Sequence, residues 1–88
     1  MRRNEDFVLR EISQDRLLIP VGEQVLTFTG LICLNETGTF IWNQLETPKS
    51  FLELATAMCD EYEVDLQTAQ KDISEFLAVL SDANAVIE

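Results

Sequence analysis

The residues of this chain able to do chemistry are its carboxylates, two cysteines and one tyrosine. Histidine is absent from all 88 residues. That removes a His general base, a Ser-His or Cys-His nucleophile, and an imidazole metal ligand. The densest acidic group is Asp60, Glu61, Glu63 and Asp65, flanking Tyr62. At a junction between helices these read as solvated turn charges, with a divalent cation site as the alternative. Cys33 and Cys59 stand 26 positions apart. Two thiols without histidine do not complete a tetrahedral zinc site. Both have apolar neighbours (Leu31, Ile32 and Leu34; Ala57 and Met58), so both are expected in the core, with a disulfide or redox pair as the alternative. Gly22, Gly30 and Gly38 are isolated, which leaves no glycine-rich phosphate loop. No serine has nucleophile-elbow context. The expectation is a protein that is not an enzyme, with no catalytic residue, no metal and no cofactor of its own.

Charge narrows the partners. Lys and Arg total 6 and Asp and Glu total 16, a net charge of −10. Residues 1–34 set four arginines against five acids, for a net −1, while residues 35–88 set two lysines against 11 acids, for a net −9. Such a surface repels phosphates, so no nucleic-acid partner is expected. It serves as a solubilising face or attracts a cationic segment. No apolar run approaches the roughly 20 residues that cross a bilayer, so no membrane partner is expected. Met1 to Asp6 lacks the apolar run of a secretory signal. With reduced thiols, that suggests a cytoplasmic chain.

The elements that must position these residues change character near Asn35. A hydrophobic fraction of 47% suits a folded chain, and residues 1–88 are expected to form one domain. Phe7 to Ile12, a turn at Ser13-Gln14-Asp15, and Arg16 to Val21 read as a hairpin, with Pro20 at a strand end or edge. Val25 to Phe28 and Leu31 to Leu34 read as one strand bulged at Gly30, or as two short strands. From Asn35 on, the pattern is helical. Asn35 caps a short helix carrying Phe40, Ile41 and Leu45 on one face, with Trp42 beside them. Ser50 and Glu53 make an S-x-x-E capping box. The box opens a helix over 50–62 with Phe51, Leu54, Ala55, Met58 and Cys59 in one stripe. Asp65 caps a third helix over 65–82, striped by Leu66, Ala69, Ile73, Phe76, Leu77 and Leu80. Ala83 to Ile87 is an extended tail that can dock on the body. The order β-β-β then α-α-α gives an α+β fold, a small three-stranded antiparallel sheet followed by three α-helices, with at least one open sheet edge.

Two functional readings follow from these parts. A sheet beside three helices is the inventory of a winged helix-turn-helix, the DNA-binding alternative. Its third helix, however, offers one Lys71 against Asp72, Glu75 and Asp82, the wrong set for bases and phosphates. The other reading is peptide recognition, in which an open edge accepts an extended peptide as a strand and a neighbouring helix walls the groove. Acidic residues of helix 65–82 would then select basic peptide residues.

Leu34-Asn35-Glu36-Thr37-Gly38-Thr39-Phe40-Ile41-Trp42 resembles the L-N-E-[ST]-[GA]-x-x-I-[WL] motif of the PqqD family, small peptide-binding proteins also called RiPP recognition elements. Phe51-Leu52-Glu53-Leu54-Ala55 is similar to the opening of that family's second helix. Glu61-Tyr62-Glu63-Val64-Asp65 is similar to its E-Y-x-V-D junction. Asp72-Ile73-Ser74-Glu75-Phe76-Leu77, with Leu80, is similar to its third helix. The resemblance runs over about residues 7–88. It implies a winged-helix-like, three-stranded antiparallel sheet on three helices. It also implies a peptide chaperone that takes the leader segment of a ribosomally made precursor peptide and presents it to a peptide-modifying enzyme, often a radical SAM enzyme. Cluster chemistry would then belong to that partner. The site implied is Thr29, Leu31, Ile32 and Cys33 of the third strand, with Asp72, Glu75, Phe76 and Val79 of the third helix. Asn35 to Trp42 is assigned to the first helix and its packing. Members serving quinone-cofactor synthesis carry a Pro-Glu-Gly turn and a later Asp-Gly, where this chain has Pro20-Val21-Gly22 and Glu46-Thr47-Pro48. It is more similar to a stand-alone member serving another peptide pathway. An open edge can also pair with its own copy, giving a homodimer.

Overall fold

The computed structural model describes residues 1–27 and 31–87. In chain order its elements are β1 (Arg2–Arg3), β2 (Phe7–Ile12), β3 (Asp15–Pro20), α1 (Gln24–Thr27), β4 (Ile32–Leu34), α2 (Glu36–Gln44), α3 (Phe51–Tyr62), α4 (Leu66–Asp82) and β5 (Val86–Ile87). The expected hairpin is β2–β3, paired from Phe7↔Pro20 to Ile12↔Asp15. Ser13 turns the chain with a left-handed φ of 58°. β4 pairs antiparallel with the other side of β3, giving the three-stranded order β2-β3-β4. The sheet is followed by three long helices, the α+β arrangement expected.

Caps define those helices. The Asn35 side chain accepts from Gly38 N at 2.8 Å and opens α2. Ser50 and Glu53 close a reciprocal capping box at 2.9 and 3.1 Å. The Asp65 carboxylate accepts from Thr68 N at 2.7 Å, so this acid of the α3–α4 junction serves as a cap. Glu63, in left-handed conformation (φ 52°), ends α3.

Sheet register assigns two faces. Successive side chains of a strand point to opposite sides. Phe7, Leu9, Leu18, Ile32 and Leu34 share the side facing the helices and join the core of Trp42, Leu80, Ala83 and Ala85. A second cluster (Ile41, Leu45, Leu54, Ala55, Met58, Ala69 and Ile73) fills the space between α2, α3 and α4. Phe76 and Leu77 touch both clusters.

The structure corrects three expectations. Val25 to Thr27 lies in the one-turn helix α1, not in a strand. Gly22, at φ 58°, reverses the chain, and Gln24, Val25 and Leu26 donate to Val21, Gly22 and Glu23, so the turn satisfies its own backbone. Phe28 and the bulge expected at Gly30 lie outside the described residues. Cys33 is exposed, whereas half-buried Cys59 packs against the second cluster as expected, and both are free. Cys33 misses the core because it pairs with Leu17 on the face turned away from the helices. Leu66, placed in the apolar stripe of the third helix, is 46% exposed because it sits in the first turn, beyond both clusters. The tail does more than dock: β5 pairs with β1, and buried Asn4 bridges the two ends, its Nδ2 donating to Asn84 O at 2.8 Å and its N–H to Ala85 O at 2.8 Å.

Candidate functional site

β3 lies between β2 and β4, so β4 is an edge of the sheet, and no strand pairs with its outer side among the described residues. A cleft of about 410 Å³ runs beside it, lined by Ile32, Cys33, Leu34, Asn35, Phe76 and Val79. Three consecutive strand residues, whose side chains alternate between the faces, line the same cleft. The cleft therefore follows the strand's backbone edge.

The opposite wall is α4. Asp72, Glu75, Phe76 and Val79 stand at i, i+3, i+4 and i+7, one face of a helix. A second cleft, about 350 Å³, is lined by these four with Asn35, Thr37, Gly38 and Ile41. The two clefts share Asn35, Phe76 and Val79, so they form one groove from the β4 edge to the first turn of α2. Its apolar side is Ile32, Phe76 and half-exposed Val79, with Asp72 and Glu75 as exposed carboxylates at the helix side.

Six of the eight residues assigned from the sequence meet in this groove: Ile32, Cys33, Asp72, Glu75, Phe76 and Val79. Leu31 adjoins β4 and is 51% exposed, but lines neither cleft. Thr29 lies outside the described residues. The first turn of α2, assigned from the sequence to packing, also forms groove wall through Asn35, Thr37 and Gly38.

Geometry accounts for the glycine of that motif. A Cβ on Gly38 would meet the Phe76 ring at 3.0 Å and Asn35 Oδ1 at 3.1 Å. Both are closer than ordinary van der Waals contact at about 3.5–4.0 Å. The absent side chain lets the aromatic floor of the groove sit against α2. Asn35 Oδ1 is itself held, accepting from Gly38 N at 2.8 Å and from the Thr37 hydroxyl at 3.1 Å. The signal was present in L-N-E-T-G, but its aromatic partner lies 38 positions downstream and only folding brings the two together.

The groove has the shape of a peptide slot: a strand edge with backbone donors and acceptors, apolar side chains, and carboxylates at one side. Among the described residues, no three Cys, Asp or Glu side chains gather as a metal site. No helix among them is long and apolar enough to cross a membrane.

Comparison with known proteins adds to this geometry. The family model for coenzyme PQQ synthesis protein D (PqqD) matches residues 21–86. A solved structure described as TbiB1 in complex with the TbiA(beta) leader peptide is 29% identical, with a TM-score of 0.76, covering 97% of this chain and 93% of its own. Another, described as lasso peptide synthetase B1 complexed with the leader peptide, is 21% identical with a TM-score of 0.75, covering 99% and 96%. That second likeness is one of fold. No curated protein matches the chain.

Proposed function

This chain belongs to the PqqD family, and from that premise we propose that it captures the leader segment of a ribosomally made precursor peptide as an added strand on β4, held against α4. The observation that carries this reading is the groove along the open β4 edge. Backbone hydrogen bonds to β4 would supply affinity with little regard to sequence, and the groove's side chains would supply selection. Ile32, Phe76 and Val79 would take apolar leader residues. Asp72 and Glu75 would favour basic ones, each exposed pair contributing on the order of 0.2–1 kcal/mol. Leu31 and Cys33 would flank the added strand. The likeness in fold to two proteins solved with leader peptides supports the same reading.

Residues 1–88 would act as one recognition unit without a catalytic step. The captured precursor would pass to a peptide-modifying enzyme. The family resemblance points to a radical SAM maturase, whose cluster chemistry would lie entirely in the partner.

The test is a titration of isotope-labelled protein with the leader peptide encoded beside it, following backbone amide shifts. The expected result is saturable shifts grouped at residues 31–38 and 72–79. Shifts centred elsewhere, or none with a peptide that a fluorescence assay reports as bound, would overturn strand addition at β4.

A further inference from the structure

The groove at β4 uses one edge of the sheet, and β2 is the other. No strand pairs with its outer side among the described residues. In an antiparallel pair, alternate residues turn their N–H and C=O groups toward the neighbouring strand. The Val21 N–H donates to Asp6 O at 2.7 Å, one step beyond the Phe7↔Pro20 pair. Asp6, Val8, Arg10 and Ile12 therefore bond toward β3, while Phe7, Leu9 and Glu11 turn their backbone groups outward. The Phe7 N–H donates to Asn4 O at 3.2 Å, so Leu9 and Glu11 carry the donors that face outward for a new strand. Two clefts flank this edge. One, of about 630 Å³, is lined by Phe7, Val8 and Leu9 with Arg2, Arg3 and Trp42, and also by Glu5 and Glu46. Arg3 lies 5.6 Å from the centre of the Trp42 ring, and Arg2 is exposed. The other, of about 370 Å³, is lined by Leu9, Glu11, Arg16 and Glu36 beside the Phe40 and Tyr62 rings. Leu9 belongs to both, so they form one trough along β2, with two arginines toward its start and two glutamates toward its end.

We propose that β2 is the contact between two copies of this chain, paired antiparallel about a two-fold axis at Leu9 to make one six-stranded sheet. Such an interface is self-complementary, each contact occurring twice. The second copy's strand runs the opposite way, so its Glu11 end enters the cleft of Arg2 and Arg3, and its arginines enter the cleft of Glu11 and Glu36. With Leu9 opposite Leu9, each Leu9 N–H donates to the other copy's Leu9 carbonyl, Phe7 faces Glu11, and Val8 faces Arg10. Slipping this register by two residues would set Arg10 against Arg10, and like charges directly opposite destabilise a sheet. Charge also selects this edge. Residues 1–34 carry only −1 of the net −10, so pairing through β2 joins the near-neutral parts of two acidic chains. β4 suits a second copy less: it spans three residues against six in β2, and Asp72 and Glu75 line the groove beside it. A pair joined at β2 leaves both β4 edges open at the two ends of the sheet. The dimer stands independently of leader capture and would give it two grooves.

The experiment is sedimentation of the full chain from about 1 μM to 1 mM, a range that reads even weak association. The wild type is expected to rise from 10.0 kDa toward twice that mass. Arg2→Glu and Glu11→Arg alter exposed residues, with folding checked by thermal melts. Each variant alone is expected to weaken self-association by about tenfold or more, because every dimer then holds two like-charge contacts. An equal mixture of the two variants is expected to restore association to within about threefold of the wild type. In the mixed pair one Arg2–Glu11 contact is native and the other is reversed, so both attract. If Glu11→Arg, which sits opposite Arg16 of its own copy, fails to fold, Glu11→Gln takes its place and Arg2→Glu still tests the contact. A wild type that stays monomeric throughout overturns the proposal. So does a dimer that both folded variants leave intact. A dimer that the leader peptide dissociates also overturns it, because the copies then meet at β4.

Discussion

Gly38→Ala should uncouple leader binding from folding. The new methyl would lie 3.0 Å from the Phe76 ring and 3.1 Å from Asn35 Oδ1. Against about 3.5–4.0 Å for ordinary carbon contact, the ring must retreat by about half an ångström or more. Asn35 is the stiffer neighbour, because two hydrogen bonds hold its oxygen. Phe76 is half-buried and borders open groove, so the ring moves and the groove narrows. Two stability effects oppose each other. Alanine is up to about 1 kcal/mol better than glycine within a helix. Overpacking costs about 1–3 kcal/mol when neighbours cannot yield. Because one neighbour can yield, the net change should stay within about 1 kcal/mol of zero, read by urea denaturation. Leader affinity should fall by about tenfold, equivalent to about 1.4 kcal/mol, read by calorimetric titration. A folded variant that binds leader as the wild type does would refute the argument that Gly38 seats Phe76 as the groove floor.

Other perturbations separate the remaining parts of the argument. Neighbouring strand residues turn their N–H groups to opposite sides, so Ile32→Pro and Cys33→Pro should differ: one breaks the β3 ladder and lowers the melting temperature, while the other spares the ladder and abolishes leader capture. Equal leader binding in both folded variants would rule out strand addition. Charge reversal in Asp72→Lys/Glu75→Lys should change affinity for a basic leader more at low salt than at high salt, and a salt-independent change would remove the electrostatic role. Asn4→Ala strands the Asn84 carbonyl and also the Asp6 N–H that Asn4 Oδ1 accepts at 2.9 Å. It should cost about 1–3 kcal/mol in denaturant unfolding, and an unchanged midpoint would mean water replaces both bonds. The caps set an acid limit. The Ser50 backbone N–H and then its side chain hold Glu53 below the ordinary carboxyl range, and the Thr68 side chain and then its N–H do the same for Asp65. Both shifts are downward, so their stabilisation is present above the ordinary carboxyl range and is lost as pH falls through the lowered values. Glu53→Gln with Asp65→Asn should flatten urea midpoints across that acid range, and an unchanged slope would place the acid sensitivity elsewhere.

Local chemistry was legible in the sequence wherever the cause is local. Asn35, Ser50 with Glu53, and Asp65 cap helices through bonds within three residues, so their spacing alone announces them. The hairpin around Ser13 and the stripes of α3 and α4 are likewise written at short range, as period 2 and period 3.6. Leu34 to Trp42 and the downstream motifs carried the family. The helix wall of the groove, Asp72, Glu75, Phe76 and Val79, was implied by the family resemblance, and their spacing puts them on one helix face.

The tertiary structure decided whatever depends on which surfaces meet. Val25 to Thr27 reads as strand, but so short a run is compatible with either state, and the turn at Gly22 made it helical. Cys33 looked buried among apolar neighbours. Its exposure follows from register with Leu17, which a linear sequence does not contain. Nothing in the sequence singles out Asn4, whose partner lies 80 positions away. Gly38 and Phe76 make one groove wall only because the fold sets the Phe76 ring of α4 against Gly38 of α2. Caps and periodicity are short-range interactions that each segment specifies for itself, whereas burial, strand register and the groove depend on long-range contacts that exist only once the whole chain has folded.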